Sequence, residues 1–294
     1  MSYEFHTQTH GKWILAGEHA VLRGYPALVF PLLSRTLKLH YEASNKPLTL
    51  ISSGLHTTQL TELIKTALEK GFHHLNQSYA DLRGELTIEN NIPLGVGLGA
   101  SAALCTALAR WLYDQYEIQD NPFEFAKSLE DVFHGQSSGL DIAGAGSTTG
   151  VLFQKGKITP IKPLWKPKWT LSSCGDVGLT ANCIQQVNHQ RENYPQHAQR
   201  IDEQMASSVA EAQFALTQET PTAQLSLQRA IEKAHDCFEQ WGLITPSLER
   251  HIRALQAQGA IAIKPTGSGG GGHLLSLWAN DPPTDLPFQF MTLA

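Results

Sequence analysis

The chain has 294 residues, of which 41% are hydrophobic and 17% charged, and its formal net charge is −5 at pH 7. A chain of this length and apolar content can form one large domain or two smaller domains. The acidic balance and the absence of a run of basic residues disfavour a nucleic-acid-binding protein, but they are compatible with an anionic small molecule.

The cysteines and the apolar runs favour a cytoplasmic protein without a membrane partner. The four cysteines form no Cys-x-x-Cys pair, so neither a zinc knuckle nor a redox motif is indicated. The first thirty residues lack a basic segment followed by an uninterrupted apolar run, and no stretch has the length of a membrane span.

The first half of the chain predicts strands and helices in alternation. Apolar residues that alternate or cluster predict four strands, at 13–15, 27–33, 37–41 and 86–88. Apolar residues at helical spacing predict two helices, at 60–68 and 104–112. A third helix is predicted from Asn121 as the N-cap, Pro122 in the first turn and Glu124 at the third position.

A segment rich in proline and lysine, residues 160–167, predicts a domain boundary, because such boundaries favour exposed proline-rich chain. We place it between residues 163 and 164. The second half predicts three helices and two strands, at 201–216, 227–241, 245–259, 260–263 and 274–278. In the last of these helices, Thr245 is the expected N-cap and Pro246 the first helical residue. Strands and helices are interleaved without a regular βα rhythm, so the sequence predicts the α+β class.

The segment Pro-Leu-Gly-Val-Gly-Leu-Gly-Ala-Ser-Ala, residues 93–102, lies between a predicted strand and a predicted helix. Glycine permits close approach of a ligand to the backbone, and a helix N-terminus attracts phosphate. The same pattern is compatible with a tight turn packed under a neighbouring element, and the lysine of a Walker A loop is missing. On these residues alone both interpretations stay open.

Charged residues at two other places are candidates for chemistry. Glu130 lies late in the third predicted helix, and Asp141 follows a turn of small polar residues; they could serve as metal ligand and base, or as a solvated helix face and a turn-forming aspartate. Lys12 precedes an apolar strand that Glu18 and His19 follow, and it could also lie along a strand edge.

A glycine-rich segment, residues 264–273, reads Lys-Pro-Thr-Gly-Ser-Gly-Gly-Gly-Gly-His. Runs of glycine are typical of flexible linkers. Here predicted strands flank the run closely on both sides, which favours a fixed loop between core elements.

Taken in order, these segments resemble the signature motifs of the GHMP kinases, over nearly the whole chain from Lys12 to about Leu277. Within that family the segment 11–27 and the glycine-rich segment are most similar to the mevalonate kinases. The resemblance implies an N-terminal domain like ribosomal protein S5 domain 2, residues 1–163, and a ferredoxin-like C-terminal domain, residues 164–294. It also implies that ATP and substrate meet in a cleft between the two domains.

The resemblance implies roles for individual residues. Asp141 matches the catalytic aspartate beside the substrate hydroxyl, and Lys12 the lysine that pairs with it. Ser101 and Glu130 match the ligands of Mg²⁺. Three residues match substrate-binding positions: Glu18, His19 (our candidate for the cation that meets the substrate carboxylate) and Thr180. The ATP phosphates would lie on a loop that comprises Pro93, Gly95, Gly97, Leu98, Gly99, Ala100, Ser101 and Ala102.

The cofactors implied are thus ATP and Mg²⁺, the implied partner is the small molecule mevalonate, and a homodimer is possible. Three positions depart from the family pattern: Ala100 replaces a serine, Leu104 stands where a tyrosine can occur in a pocket wall, and Ser137 replaces a proline. A phosphomevalonate kinase and an inactive sensor on the same fold are the alternatives.

Overall fold

The computed structural model describes residues 3–119, 121–135, 137–283 and 288–293. The chain divides into two compact units, one of Met1–Lys12 with Pro31–Thr148 and the other of Trp13–Phe30 with Thr149–Ala294. The strands β1 (Glu4–Ala16) and β2 (Ala27–Pro47) each contribute residues to both units.

In the first unit, the later residues of β2 pair antiparallel with β4 (Arg83–Asn90), and β3 (Thr49–Gly54) pairs parallel with β4. The α-helices described in this unit are α1 (Thr57–His74), α2 (Ala100–Gln115), α3 (Phe123–His134) and α4 (Leu140–Ala145), and a short 3-10 helix covers Tyr79–Asp81. Helix α2 packs against the other three helices. Its side chains are apolar around most of its circumference, which explains why it is the buried helix of this unit.

In the second unit, the early residues of β2 pair with β5, and β5 pairs with β6. The strands β7 to β10 form an antiparallel sheet in the order β10-β7-β9-β8. The strands of this unit are β5 (Gly150–Gln154), β6 (Lys157–Ile161), β7 (Lys168–Ser173), β8 (Ala260–Thr266), β9 (His273–Trp278) and β10 (Phe290–Thr292).

The helices of the second unit are α5 (Thr180–Asn193), α6 (Pro195–Leu216), α7 (Ala223–Gln240) and α8 (Pro246–Ala257). Helices α7 and α8 pack on β8, and α6 packs on α7. The apolar positions predicted for 201–216 and 227–241 are all buried. They lie on α6 and on α7 with its C-cap, and these two helices pack against each other. Among the described helices, none combines the length and the apolar composition needed to cross a membrane.

The predicted α+β class is confirmed. The division into domains 1–163 and 164–294 stays a prediction, and the compact units group residues 13–30 and 149–163 with the C-terminal half of the chain. The reason is strand pairing, because Ala27 to Val29 pair with β5 and the prolines near 160 lie in or beside β6.

Both predicted helix starts use the expected side chains. The N–H of Leu248 donates to Thr245 Oγ1 (3.4 Å), with Pro246 in the first turn of α8. The N–H of Phe123 donates to Asn121 Oδ1 (3.0 Å), but α3 begins at Phe123, so Pro122 takes the cap position that we expected for Asn121.

The glycine run after β8 is a fixed loop. Gly272 N–H donates to Asp176 O (2.8 Å), and Gly270 N–H donates to Leu243 O (3.0 Å). A Cβ added at Gly271 would lie 2.7 Å from Gly178 N, so a side chain at that position has no room. The fixed-loop interpretation is therefore confirmed, and the linker interpretation is wrong.

Candidate active site

The loop between β4 and α2 holds three glycines in one conformation. Gly95, Gly97 and Gly99 have φ between +75° and +79°, a region that L side chains rarely adopt. A Cβ added at Gly95 or Gly97 would meet no described atom within 4 Å. The backbone of these two glycines therefore faces open space, as a loop that approaches a ligand closely requires.

Gly99 has a different environment from the two glycines before it. A Cβ at Gly99 would lie 2.6 Å from Lys12 Cγ, so the missing side chain makes room for the stem of Lys12. Gly99 is also the N-cap of α2, and within the described part of the chain no side chain caps this helix. The N–H groups of the first turn, which have no partner within a helix, are thus well placed for an anion.

Lys12 and Asp141 form an ion pair in the first unit. Lys12 Nζ lies 2.9 Å from Asp141 Oδ2; the lysine side chain is 3% exposed and the aspartate 37%. A buried ammonium is stable only with an anionic partner, so the pair orients the carboxylate. Asp141 lies in the first turn of α4, and its exposed part can reach a ligand.

Glu130 lies buried on α3, where its carboxylate interacts electrostatically with Asp141 and Lys12. Burial, and next the negative charge of Asp141, raise the pKa of Glu130 to about 8, although the positive charge of Lys12 acts in the opposite direction. A divalent cation would stabilise the ionised form of this carboxylate. Both Glu130 and Ser101, the second residue of α2, carry oxygen donors, the kind of ligand that Mg²⁺ prefers.

The three departures from the family pattern have distinct structural settings. Ser137 N–H donates to Asp131 Oδ1 (2.6 Å), a hydrogen bond that a proline could not make. Leu104 is fully buried in α2 and therefore packs in the core instead of forming an exposed pocket wall. Ala100 is the first residue of α2 and brings no hydroxyl to that helix start.

In the second unit, Glu18 pairs with a residue to which the sequence assigned no role. Lys264 Nζ lies 2.5 Å from Glu18 Oε1 and donates to Ile14 O (3.3 Å). Lys264 is fully buried, and Glu18 is 2% exposed. The lysine is the first residue of the glycine-rich segment 264–273, but it is 246 positions away from Glu18 in the sequence, so local pattern does not indicate the pairing.

His19 is buried and held in a specific orientation. Its φ is +56°, and its Nε2 lies 2.9 Å from Ser268 O. Burial lowers the pKa of His19 to about 4, so the ring is neutral at neutral pH. The ring is therefore neutral, which disfavours the positive charge expected of His19, and its role towards the substrate stays a prediction.

Ser268 connects His19 with the third expected substrate residue. Thr180 is exposed at the start of α5, and its Oγ1 lies 3.3 Å from Ser268 Oγ. A second ion pair, from Arg23 on the turn after β1 to Asp202 on α6, is largely buried as well. Sequence reasoning missed three residues of this unit: Ser268, Arg23 and Asp202. A serine in a glycine run, or a charged residue on a helix, does not indicate a functional role by itself.

Comparison with known proteins gives a family match for the part of the chain that carries the glycine loop and the two carboxylates. Residues 62–148, which include the glycine loop, Glu130 and Asp141, match the model of the GHMP kinases N terminal domain. The mevalonate kinase of Pyrococcus horikoshii is 24% identical over 292 residues, an alignment that covers 90% of this chain and 86% of that protein.

Solved structures share the fold over nearly the whole chain. The structure of L. major mevalonate kinase in complex with R-mevalonate has a TM-score of 0.78 at 23% identity, and the match covers 95% of this chain and 88% of that one. Streptococcus pneumoniae phosphomevalonate kinase has a TM-score of 0.70 at 17% identity, with 94% and 92% covered. The chain therefore has the two-domain GHMP kinase fold, and the similarities support a small-molecule kinase.

The neutral state of His19 predicts a specific loss of stability in acid. Because the pKa of His19 is lowered from 6.5 to about 4, its contribution to the free energy of unfolding is present above pH 6.5 and is lost as the pH falls towards 4. His19→Asn, which tolerates positive φ and does not titrate, should flatten this part of the profile. Chemical denaturation of both proteins from pH 7 to 4 measures the difference; parallel profiles would contradict the assignment.

Proposed function

We propose that this chain, which belongs to the GHMP kinases through its residues 62–148, transfers the γ-phosphate of ATP to mevalonate and forms 5-phosphomevalonate. The observation that carries the proposal is the buried Lys12 that orients the partly exposed carboxylate of Asp141. The names of its relatives, which are mevalonate kinases, support the choice of substrate.

Phosphoryl transfer depends mainly on in-line positioning and on neutralisation of phosphate charge. The backbone of Gly95 and Gly97 and the uncapped start of α2 would bind the phosphates of ATP. Ser101 and Glu130 would hold Mg²⁺, which when bound neutralises charge on the phosphates and on Glu130. The loop and the helix thus supply the binding site for the donor.

Asp141 acts on the acceptor. Its exposed part would orient the primary hydroxyl of mevalonate and accept the proton of that hydroxyl. Lys12 holds the carboxylate in place from the buried side, with Nζ at 2.9 Å from Oδ2. An inactive binding protein has no need for this arrangement, which therefore favours an enzyme.

The neutral ring of His19 limits what it can bind. Ser268 O can only accept, so Nε2 of His19 carries the hydrogen in their 2.9 Å contact, and Nδ1 of the neutral ring is an acceptor. We infer that His19 accepts a hydrogen bond from a substrate hydroxyl and does not bind a carboxylate or phosphate. This favours mevalonate over 5-phosphomevalonate, whose additional phosphate calls for more positive charge.

A substrate panel tests the proposal directly. ATP, Mg²⁺ and the purified chain are incubated with mevalonate, 5-phosphomevalonate, galactose or homoserine, and ADP formation is measured. We expect the highest kcat/KM with mevalonate. Preferred turnover of 5-phosphomevalonate would assign the alternative kinase, and no turnover of any alcohol would indicate a binding protein.

Removal of the proposed base should abolish most activity without unfolding the protein. Asp141→Asn should lower kcat at least ~10²-fold, the scale for loss of a general base. Asp236→Asn, the same change at an exposed position of α7, serves as the control. Wild-type turnover in a folded Asp141→Asn protein would exclude this role.

Glu130→Gln should raise the Mg²⁺ concentration needed for half-maximal activity, because a neutral amide is a poorer ligand for a hard cation. In the wild type this requirement should fall as the pH rises towards 8, since the pKa of Glu130 is about 8 and its proton competes with the metal. The variant should lose that pH dependence. Glu124→Gln, the same change at an exposed position in the first turn of α3, is the matched control; identical Mg²⁺ titrations of Glu130→Gln and wild type would exclude Glu130 as a ligand.

Two alanine substitutions separate phosphate binding from packing in the glycine loop. Gly97 and Gly99 share a φ near +78°, so alanine costs about 1 kcal/mol of backbone strain at either position. Only at Gly99 does the new Cβ also collide with Lys12. Gly97→Ala should weaken ATP binding with a small loss of stability, whereas Gly99→Ala should lose more stability. Calorimetric ATP titration with thermal unfolding distinguishes them, and unchanged ATP affinity of Gly97→Ala would place the phosphates elsewhere.

A further inference from the structure

Three potential metal ligands lie together on an exposed part of the first unit and have no role in the proposed reaction: Glu4, His6 and His40. Glu4 and His6 are two residues apart on β1, so their side chains lie on the same face of the strand. His40 lies on β2, and the hydrogen bond from Ala43 N–H to Tyr3 O (2.9 Å) shows that the two strands are neighbours here.

The donor atoms of the three side chains converge. Glu4 Oε1 lies 2.8 Å from His6 Nε2 and 3.0 Å from His40 Nε2. The two imidazole rings are stacked, with centroids 4.1 Å apart and planes inclined by 3°. One ligand atom of each residue lies within 4.8 Å of the other two. Two ring nitrogens and one carboxylate oxygen therefore form one compact cluster of donor atoms.

The chemistry of these donors selects a class of metal. Imidazole nitrogen and carboxylate oxygen suit Zn²⁺ and its neighbours Ni²⁺ and Cu²⁺, whereas Mg²⁺ prefers oxygen ligands alone. With metal–ligand bonds of about 2.0–2.1 Å, tetrahedral ligand atoms lie roughly 3.3 Å apart. The separations of 2.8 and 3.0 Å are somewhat shorter than this value, and the two rings are nearly parallel, so binding of an ion requires the side chains to separate slightly and one ring to rotate.

The strands that carry the ligands are held by contacts other than the ligand side chains. Strand β1 pairs with β2 in one sheet, and Tyr3 Oη, next to Glu4, donates to Asp114 Oδ2 (2.6 Å) on α2. The backbone positions of the three ligands are therefore fixed by the fold.

We propose that Glu4, His6 and His40 form a second metal site, which binds Zn²⁺ or a similar transition-metal ion through three protein ligands. A water molecule would complete a tetrahedral coordination. The site is distinct in sequence and in ligand chemistry from the expected Mg²⁺ ligands Ser101 and Glu130. The bound ion would link β1 to β2 and stabilise the folded state by binding to it alone.

Zn²⁺ titration of the full chain tests the site. The protein is prepared without a histidine tag and freed of metal with a chelator, and Zn²⁺ binding is measured at pH 7.5 by calorimetry and by the shift in Tm. We expect one site whose affinity falls at least ~10-fold in His40→Ala and in Glu4→Gln, since even outer-shell changes cost that much. His73→Ala, an exposed histidine on α1 outside the cluster, should bind like wild type.

A double variant keeps the proposal falsifiable. His6→Gln/His40→Gln keeps polar side chains at both strand positions, so it should fold, and it should lose both the binding isotherm and the Tm shift. Wild-type Zn²⁺ affinity in the double variant would show that the ion binds elsewhere and would overturn the proposal.

Discussion

The buried ammonium of Lys12 is the constraint on which the first unit depends. Because the side chain is only 3% exposed, its charge requires Asp141, and its stem requires the missing side chain of Gly99. The backbone of the same lysine donates from its N–H to Leu98 O (2.9 Å). One residue of β1 thus holds the glycine loop, the start of α2 and the start of α4 in a single arrangement.

Glu130 adds a second constraint, which acts through charge. A carboxylate buried near Asp141 is costly to ionise, as the pKa of about 8 shows, and Lys12 offsets only part of this cost. An apolar side chain of similar volume at this position of α3 would pack without the free-energy cost of desolvating a charge. A cation bound beside this carboxylate, as the proposed function requires, would offset the cost of its ionisation.

The parts of the fold that local pattern determines could be predicted from the sequence, and the parts set by distant contacts could not. The apolar stripes of α6 and α7 and the cap at Thr245 follow from helical spacing and side-chain chemistry. Helix α5 was not predicted, because only two of its residues, Cys183 and Val187, are buried. Two residues do not form a recognisable apolar stripe. Family resemblance supplied the candidate residues of the site, whereas the charge state of His19 required knowledge of its burial.

Two buried ion pairs define the turn that carries Glu18 and His19. Glu18 is tied to Lys264 and Arg23 to Asp202, so both ends of the segment 18–23 are joined to distant elements of the second unit. Such pairs add little net stability because desolvation opposes their attraction, but breaking one leaves a buried charge without compensation. Between the two pairs, His19 has a positive φ, and its Nε2 donates to Ser268 O. With Nε2 engaged by Ser268 O, Nδ1 of the neutral His19 ring is a hydrogen-bond acceptor. The proposed recognition of a substrate hydroxyl depends on this acceptor.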